Sequence, residues 1–391
     1  MITLTCDVFF LSAEASGDDL AVSVIRKMRE LQDDISIGAI GGKRLSRVGI
    51  ESPVDVSPLG IVGLFEGLKV YQKVIRLAED ATQVILNSGA RTVVLVDSWG
   101  FSIRVAERLK KADPDLSLVK LVGPQVWATR SGRAKTLCKY FDHLLCIHEF
   151  ELPFYEPFGL DCTVIGNPAL DRVENGDGEK FRKRYGISAS QLCLLILPGS
   201  RNSELSRVAP VLAKAARELQ KERGDQLISV VLVSDAMSAR IHSGEIDWPQ
   251  GALFIEDENE KADVMAGSDV ALACSGTVTT ELATQGCPMI VGYQLGWLTW
   301  VIARLFLFKS RYITLFNIAA GNEIAPEFVQ TKFSTDRIKR AADRLLDGKK
   351  ERQKQTSEQY EALKKMGLGG RPAHEIAADK ILSLTEKKGA E

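Results

Sequence analysis

Between Ser268 and Tyr293 the chain reads SDVALACSGTVTTELATQGCPMIVGY, a short apolar run, a Ser-Gly-Thr turn, an amphipathic stretch and a second apolar run. Val270 to Ala273 has the length and composition of a buried strand, and Val278, Leu282 and Ala283 recur at helical spacing. Met289 to Val291, after Gly286-Cys287-Pro288, completes a β-α-β unit. Such a unit constrains the fold strongly, because parallel strands need a crossover helix and a sheet covered on both faces. Glycine in the turn lets a ligand approach the backbone, and the first helical turn offers unpaired N–H groups and a positive dipole end. The Ser275-Gly276-Thr277 turn therefore either caps the helix or takes an anion, with Glu281 one turn further on.

The same grammar repeats along the chain. In the first half, strands are expected at Asp7 to Leu11, Ile35 to Ile40, Thr92 to Val96, Leu118 to Val122 and His143 to Ile147. Helical faces lie between them, including Leu20-Val24-Ile25-Met28, the stretch 70–86, and Ile103 to Lys110. In such sheets ligands bind beyond the carboxyl ends of the strands. That rule selects Glu14, Gly41-Gly42, Asp97-Ser98, Gly123-Pro124-Gln125 and Glu149. Glu14 and Asp97 are carboxylates able to accept a proton, though Glu14 also suits a turn and Asp97 a helix N-cap.

A polar, glycine-rich stretch from Glu174 to Gly178 marks a linker, so the expected division is 1–170 and 171–370, with a final helix over 371–391 that can return to the first domain. The second half opens with strand Leu192 to Leu197 and the turn Pro198-Gly199-Ser200-Arg201. An arginine there can grip phosphate with two parallel N–H donors. Strands Ile228 to Val233 and Leu253 to Ile255 continue the series. Two α/β halves joined by a short linker imply a cleft between two Rossmann-like domains. After Leu295 the character changes: residues 296–309 carry two of the five tryptophans and are apolar nearly all round. This stretch reads as a buried helix, a dimer contact or an interfacial membrane segment, with Trp297, Trp300, Arg304 and Phe308 as its contact residues. The tail is helical, with Ser334 or Thr335 as a cap, Ile338, Ala341, Ala342 and Leu345 on one face, and Gly348 as a stop.

Composition narrows the function. Fifty basic residues stand against 51 acidic ones, so no global field points to nucleic acid. Seven cysteines lie scattered without a C-x-x-C pair and four histidines show no metal-ligand spacing, which argues for a reducing compartment and against structural zinc. The apolar patch Val8 to Leu11 lacks a basic flank and is followed by Glu14, Asp18 and Asp19, as a first strand would be rather than a signal peptide. No apolar run approaches the ~20 residues of a spanning helix.

Seven ordered blocks resemble the lipid-A-disaccharide synthase family: AEASGD from Ala13, GGKRLSRVGI from Gly41, VGPQVWATRSGRAK from Val122, IGNPALD from Ile165, LPGSRNSEL from Leu197, CSGTVTTELATQGCPMIVGY from Cys274 and FNIAAGNEIAPEFVQ from Phe316. The resemblance implies an inverting, metal-independent glycosyltransferase of GT-B architecture, without a cofactor. It would join UDP-2,3-diacylglucosamine to 2,3-diacylglucosamine 1-phosphate (lipid X), releasing UDP, at the cytoplasmic face of the inner membrane. It implies Asp97 as general base with Glu14 in support, and Ser200, Arg201, Ser275, Gly276, Thr277, Glu281, Asn317 and Gln330 around UDP. A homodimer is a further expectation. Two departures bear on the acceptor pocket: the chain has Asp97-Ser98-Trp99-Gly100-Phe101 where the family often has proline, aspartate and phenylalanine, and Asn167 where it often has histidine. Another UDP-sugar transferase or epimerase, or a non-catalytic lipid- or nucleotide-binding relative, remains open on the residues alone.

Overall fold

A computed structural model describes residues 6–57, 67–296 and 310–390. The chain divides into two compact units, Met1–Asp171 with Gly367–Glu391, and Arg172–Met366.

The first unit is built on six parallel strands, β1 Val8–Leu11, β2 Ile37–Ile40, β3 Thr92–Val96, β4 Ser117–Leu121, β5 His143–Cys146 and β6 Asp161–Val164, in the order β2-β1-β3-β4-β5-β6. Successive side chains along a strand point to opposite faces. Phe9, Leu11, Val93 and Leu95 accordingly pack with Ala78, Ala81, Ile85 and Val105. Val8, Phe10, Val94 and Val96 pack on the other face with Val24, Ile25 and Met28 of the helix Ala15–Leu31. Ala373, Ala377, Ala378 and Ile381 of the terminal helix Ala373–Ala390 complete that second layer. Thr385 Oγ1 donates to Thr92 Oγ1 at 3.0 Å, and the Ala373 amide to Asp171 at 2.8 Å, so the tail belongs to this unit.

The second unit repeats the plan with β7 Leu192–Leu197, β8 Leu227–Leu232, β9 Leu253–Ile255, β10 Val270–Cys274, β11 Met289–Tyr293 and β12 Glu327–Val329, all parallel, in the order β12-β11-β10-β7-β8-β9. The helices Ala209–Arg223 and Thr335–Asp347 cover one face. The edge strands β6 and β12 carry no sequence signal of their own. Both are short and partly polar because an edge is not buried on both sides.

Sequence expectations for Trp297, Trp300, Arg304 and Phe308 lie outside the described residues. Among the described residues no helix is long and apolar enough to cross a membrane. All seven cysteines are free thiols.

Candidate active site

In each sheet the strand order reverses at one point, where crossovers leave for opposite faces and open a gap at the carboxyl ends. In the first unit this point lies between β1 and β3. Glu14 follows β1 and Asp97 follows β3, so the two carboxylates flank the gap.

The backbone at Asp97 is unusual. Asp97 and Ser98 have φ of 41° and 39°, the left-handed region that non-glycine residues rarely adopt, and Val122 at the end of β4 has φ 66°. Such geometry persists only where surrounding contacts enforce it. Here the Asp97 amide donates to the Leu121 carbonyl at 2.8 Å, and Ser102 Oγ donates to the Asp97 carbonyl at 2.7 Å. Lys120, 1% exposed, donates from Nζ to the same carbonyl and to Ser102 Oγ at 3.1 Å. The N-cap of the following helix, Trp99–Ala112, is Ser98 rather than Asp97. The Asp97 side chain is thus left at the rim.

Burial pushes the Lys120 ammonium down to about 7, against the opposing pull of Asp97 and Glu14. Both carboxylates therefore lie within electrostatic reach of one buried amine. Sequence reasoning passed over Lys120, and its signal was a single lysine inside the apolar run Leu118 to Val122. Asp18 was also underused: its two oxygens accept the Gly42 amide at 3.1 and 3.0 Å, and a Cβ at Gly41 or Gly42 would meet that carboxylate. The Gly41-Gly42 turn is therefore spent on folding. Beyond β5 the buried carboxylate is Glu151, which accepts the His148 amide at 2.9 Å and is raised by burial to about 7. Glu149, by contrast, is exposed.

In the second unit the order reverses between β7 and β10. The Pro198–Arg201 turn follows β7 and the Ser275–Thr277 turn follows β10, and a Cβ at Gly199 would lie 3.4 Å from Cys274 Sγ. Gly199 itself has φ 106°, which requires glycine. Gly276 stands in open space, with nothing within 4 Å of where a Cβ would be.

Two of these surroundings bear on the roles expected of Ser200, Arg201 and Asn317. The amides near Ser200 are not free donors: Glu204 accepts the Ser200 amide at 3.0 Å and the Arg201 amide at 3.3 Å, and pairs with Arg201 Nη1 at 3.0 Å. Glu204 sits three residues after Arg201, the spacing at which a helix-start carboxylate reaches back to the cap. The Arg201 side chain itself remains 74% exposed. Asn317 is 0% exposed, and its amide is fully engaged within the fold. Its nitrogen donates to the Ala325 carbonyl at 2.9 Å and to Glu327 at 2.8 Å, while its oxygen accepts the Ile324 and Ala325 amides at 2.8 and 3.1 Å. Asn317 thus shapes the loop before β12 and has no donor left for a ligand. Gln330, at the end of β12, has φ 56° and donates to the Leu295 carbonyl at 3.4 Å. Glu281 pairs with Lys261 at 2.7 Å on a half-exposed surface.

Two parallel six-stranded units, each with polar turns at its switch point, define a GT-B protein. The fold matches the structure of an Acinetobacter baumannii MurG with a TM-score of 0.59 at 14% identity, over 96% of this chain and 99% of that one. It also matches a UDP-GlcNAc 2-epimerase from Neisseria meningitidis bound to UDP-GlcNAc, with a TM-score of 0.56 at 12% identity, over 97% and 99%. At the sequence level, residues 8–381 match the family model described as lipid-A-disaccharide synthetase. The lipid-A-disaccharide synthase of Rhodospirillum centenum is 33% identical over 383 residues, 97% of this chain and 95% of the relative. That of Rickettsia prowazekii is 31% identical, over 96% and 98%. The chain belongs to the lipid-A-disaccharide synthase family, glycosyltransferases of lipid A biosynthesis.

Proposed function

We propose that the protein transfers diacylglucosamine from UDP-2,3-diacylglucosamine to the 6-hydroxyl of 2,3-diacylglucosamine 1-phosphate. Attack forms the bond from O6 to the anomeric carbon as the bond to UDP breaks, the hydroxyl proton passes to Asp97, and the anomeric centre inverts to a β-1,6 linkage. The observation that carries this reading is the Asp97 turn, a left-handed backbone held by Lys120 and Ser102 at a sheet switch point. Glu14 supports acceptor positioning from the end of β1.

UDP belongs to the second unit. Arg201 meets the departing diphosphate, with Ser200 and the Ser275-Gly276-Thr277 turn beside it, where charge develops in the transition state. Glu281 takes the ribose hydroxyls and Gln330 borders the nucleotide. Asn317 acts through the loop it holds. Because both substrates are lipids, peripheral attachment to a membrane through Trp297, Trp300, Arg304 and Phe308 is part of the reading. Trp297→Ser with Trp300→Ser should reduce sedimentation with liposomes, and unchanged sedimentation would return that segment to the protein interior.

A UDP-release assay across acylated and unacylated donors, with and without the lipid phosphate acceptor, tests the reaction. Release only with UDP-diacylglucosamine and acceptor together is expected. Turnover of UDP-GlcNAc alone would sink the assignment. Asp97→Asn should abolish turnover while UDP affinity persists, and a fully active variant would remove Asp97 from the chemistry.

A further inference from the structure

We propose that Arg130 and Arg133, with the ring of Trp99, form the site that binds the phosphate of the acceptor. This rests on the acceptor named above and adds what recognises its anionic end.

Both arginines lie on the segment that follows β4, the strand beside β3. The Arg133 amide donates to the Arg130 carbonyl at 2.9 Å, so the two residues belong to one turn. Arg130 holds a left-handed backbone, φ 48°. The Arg133 guanidinium lies 5.4 Å from the centroid of the Trp99 ring, within cation–π reach. Trp99 itself is half-buried against the core and stands two residues after Asp97.

Charge supplies the second argument. Burial lowers the proton affinity of Arg133, and the charge of Arg130 lowers it further. Two cations are thus held close together, and among the described residues neither has a carboxylate partner. Arginine pairs in folded proteins are relieved by anions, and the planar guanidinium fork matches a phosphate with two parallel bonds. A merely solvated surface arginine would not lie over a ring that packs against the core. The substrate's chemistry agrees: the 6-hydroxyl and the 1-phosphate are carried from C5 and C1, the two carbons that flank the ring oxygen of one sugar. With the hydroxyl at Asp97, the site for the nearby phosphate is sought on a neighbouring segment, and the one after β4 carries the two arginines, Arg133 over the Trp99 ring.

The test compares 2,3-diacylglucosamine 1-phosphate with 2,3-diacylglucosamine as acceptors, in neutral detergent micelles so that no lipid headgroup supplies phosphate. Wild type should prefer the phosphorylated acceptor. Arg130→Ala and Arg133→Ala should each cut that preference by about tenfold to a hundredfold through the acceptor KM, with the donor KM unchanged. Arg133→Lys should recover part of it, because it keeps the charge and loses the fork. Exposed Arg130 can be truncated without loss of packing, so at least one variant reads cleanly. An undiminished preference in both alanine variants overturns the proposal, as does a wild type indifferent to the phosphate. Absence of any wild-type turnover with the phosphorylated acceptor would instead bring down the functional reading itself.

Discussion

A buried lysine titrating near neutrality leaves a mark on stability. Lys120 is held at about 7 in the fold, chiefly by burial, against roughly 10.4 in an unfolded chain. Between those values the unfolded state binds more protons, so stability rises with pH across that window and is reduced below it. Denaturant titrations should show wild type gaining on Lys120→Met by up to about 1.4 kcal/mol per pH unit between pH 7 and 10; parallel pH profiles would mean that the amine is not desolvated. The same variant should lower kcat about tenfold to a hundredfold with substrate KM values little changed, because it loosens the turn that aims Asp97. In an Asp97→Glu background, which keeps a carboxylate but shifts it from its set position, it should add little further. An additive loss there would make Lys120 a purely structural residue. Asp97 was legible in the sequence as a carboxylate directly after a strand. Its left-handed backbone and the lysine beneath it were not, since both depend on a neighbour that pairs with β3 only in the folded sheet.

Among the elements, the Pro198–Arg201 turn, proposed above to meet the diphosphate, is braced by the start of its own helix. Glu204 takes two amides and one guanidinium nitrogen, so the turn is held from within. Glu204→Ala should lower UDP affinity about tenfold by releasing Arg201 from its set position; tighter UDP binding would show instead that the freed amides accept the diphosphate. Arg201→Ala should weaken UDP binding directly, and equal affinity would remove Arg201 from the phosphate site. On the neighbouring turn, the Glu281 to Lys261 pair is half exposed, and such pairs contribute about 1 kcal/mol or less. Glu281→Ala should therefore leave the melting transition nearly unmoved while raising the donor KM more than the acceptor KM. The motif PGSR pointed to a phosphate turn because its residue types carry that chemistry. It could not reveal that the local amides were already engaged, which required the carboxylate of Glu204 to be seen folding back.

For the molecule as a whole, the terminal helix ties the two ends of the chain into one unit. Its polar sequence marks a surface helix, and its stripe of Ala373, Ala377, Ala378 and Ile381 closes one face of the first sheet. Ile381 is 0% exposed, so Ile381→Ala should destabilise the first unit by about 2–5 kcal/mol. The cost should appear as faster hydrogen exchange in β1 and β3, with the strands of the second unit unaffected. Uniform acceleration in both units would mean that they unfold as one.

By itself the sequence determined the class of fold and most of its strands, because apolar runs separated by helical stripes admit little besides parallel sheets. It also marked Asp97, Arg201 and the Ser275–Thr277 turn, since strand ends are where such sheets leave polar groups uncovered. Tertiary structure alone decided the strand order, and with it the two switch points, because pairing between β1 and β3 or β7 and β10 joins segments far apart in the chain. It likewise decided that Lys120 serves Asp97, that Asn317 is spent on its own loop, and that Arg133 lies over Trp99. Each of these depends on which side chains meet across elements, and spacing along a chain does not carry that information.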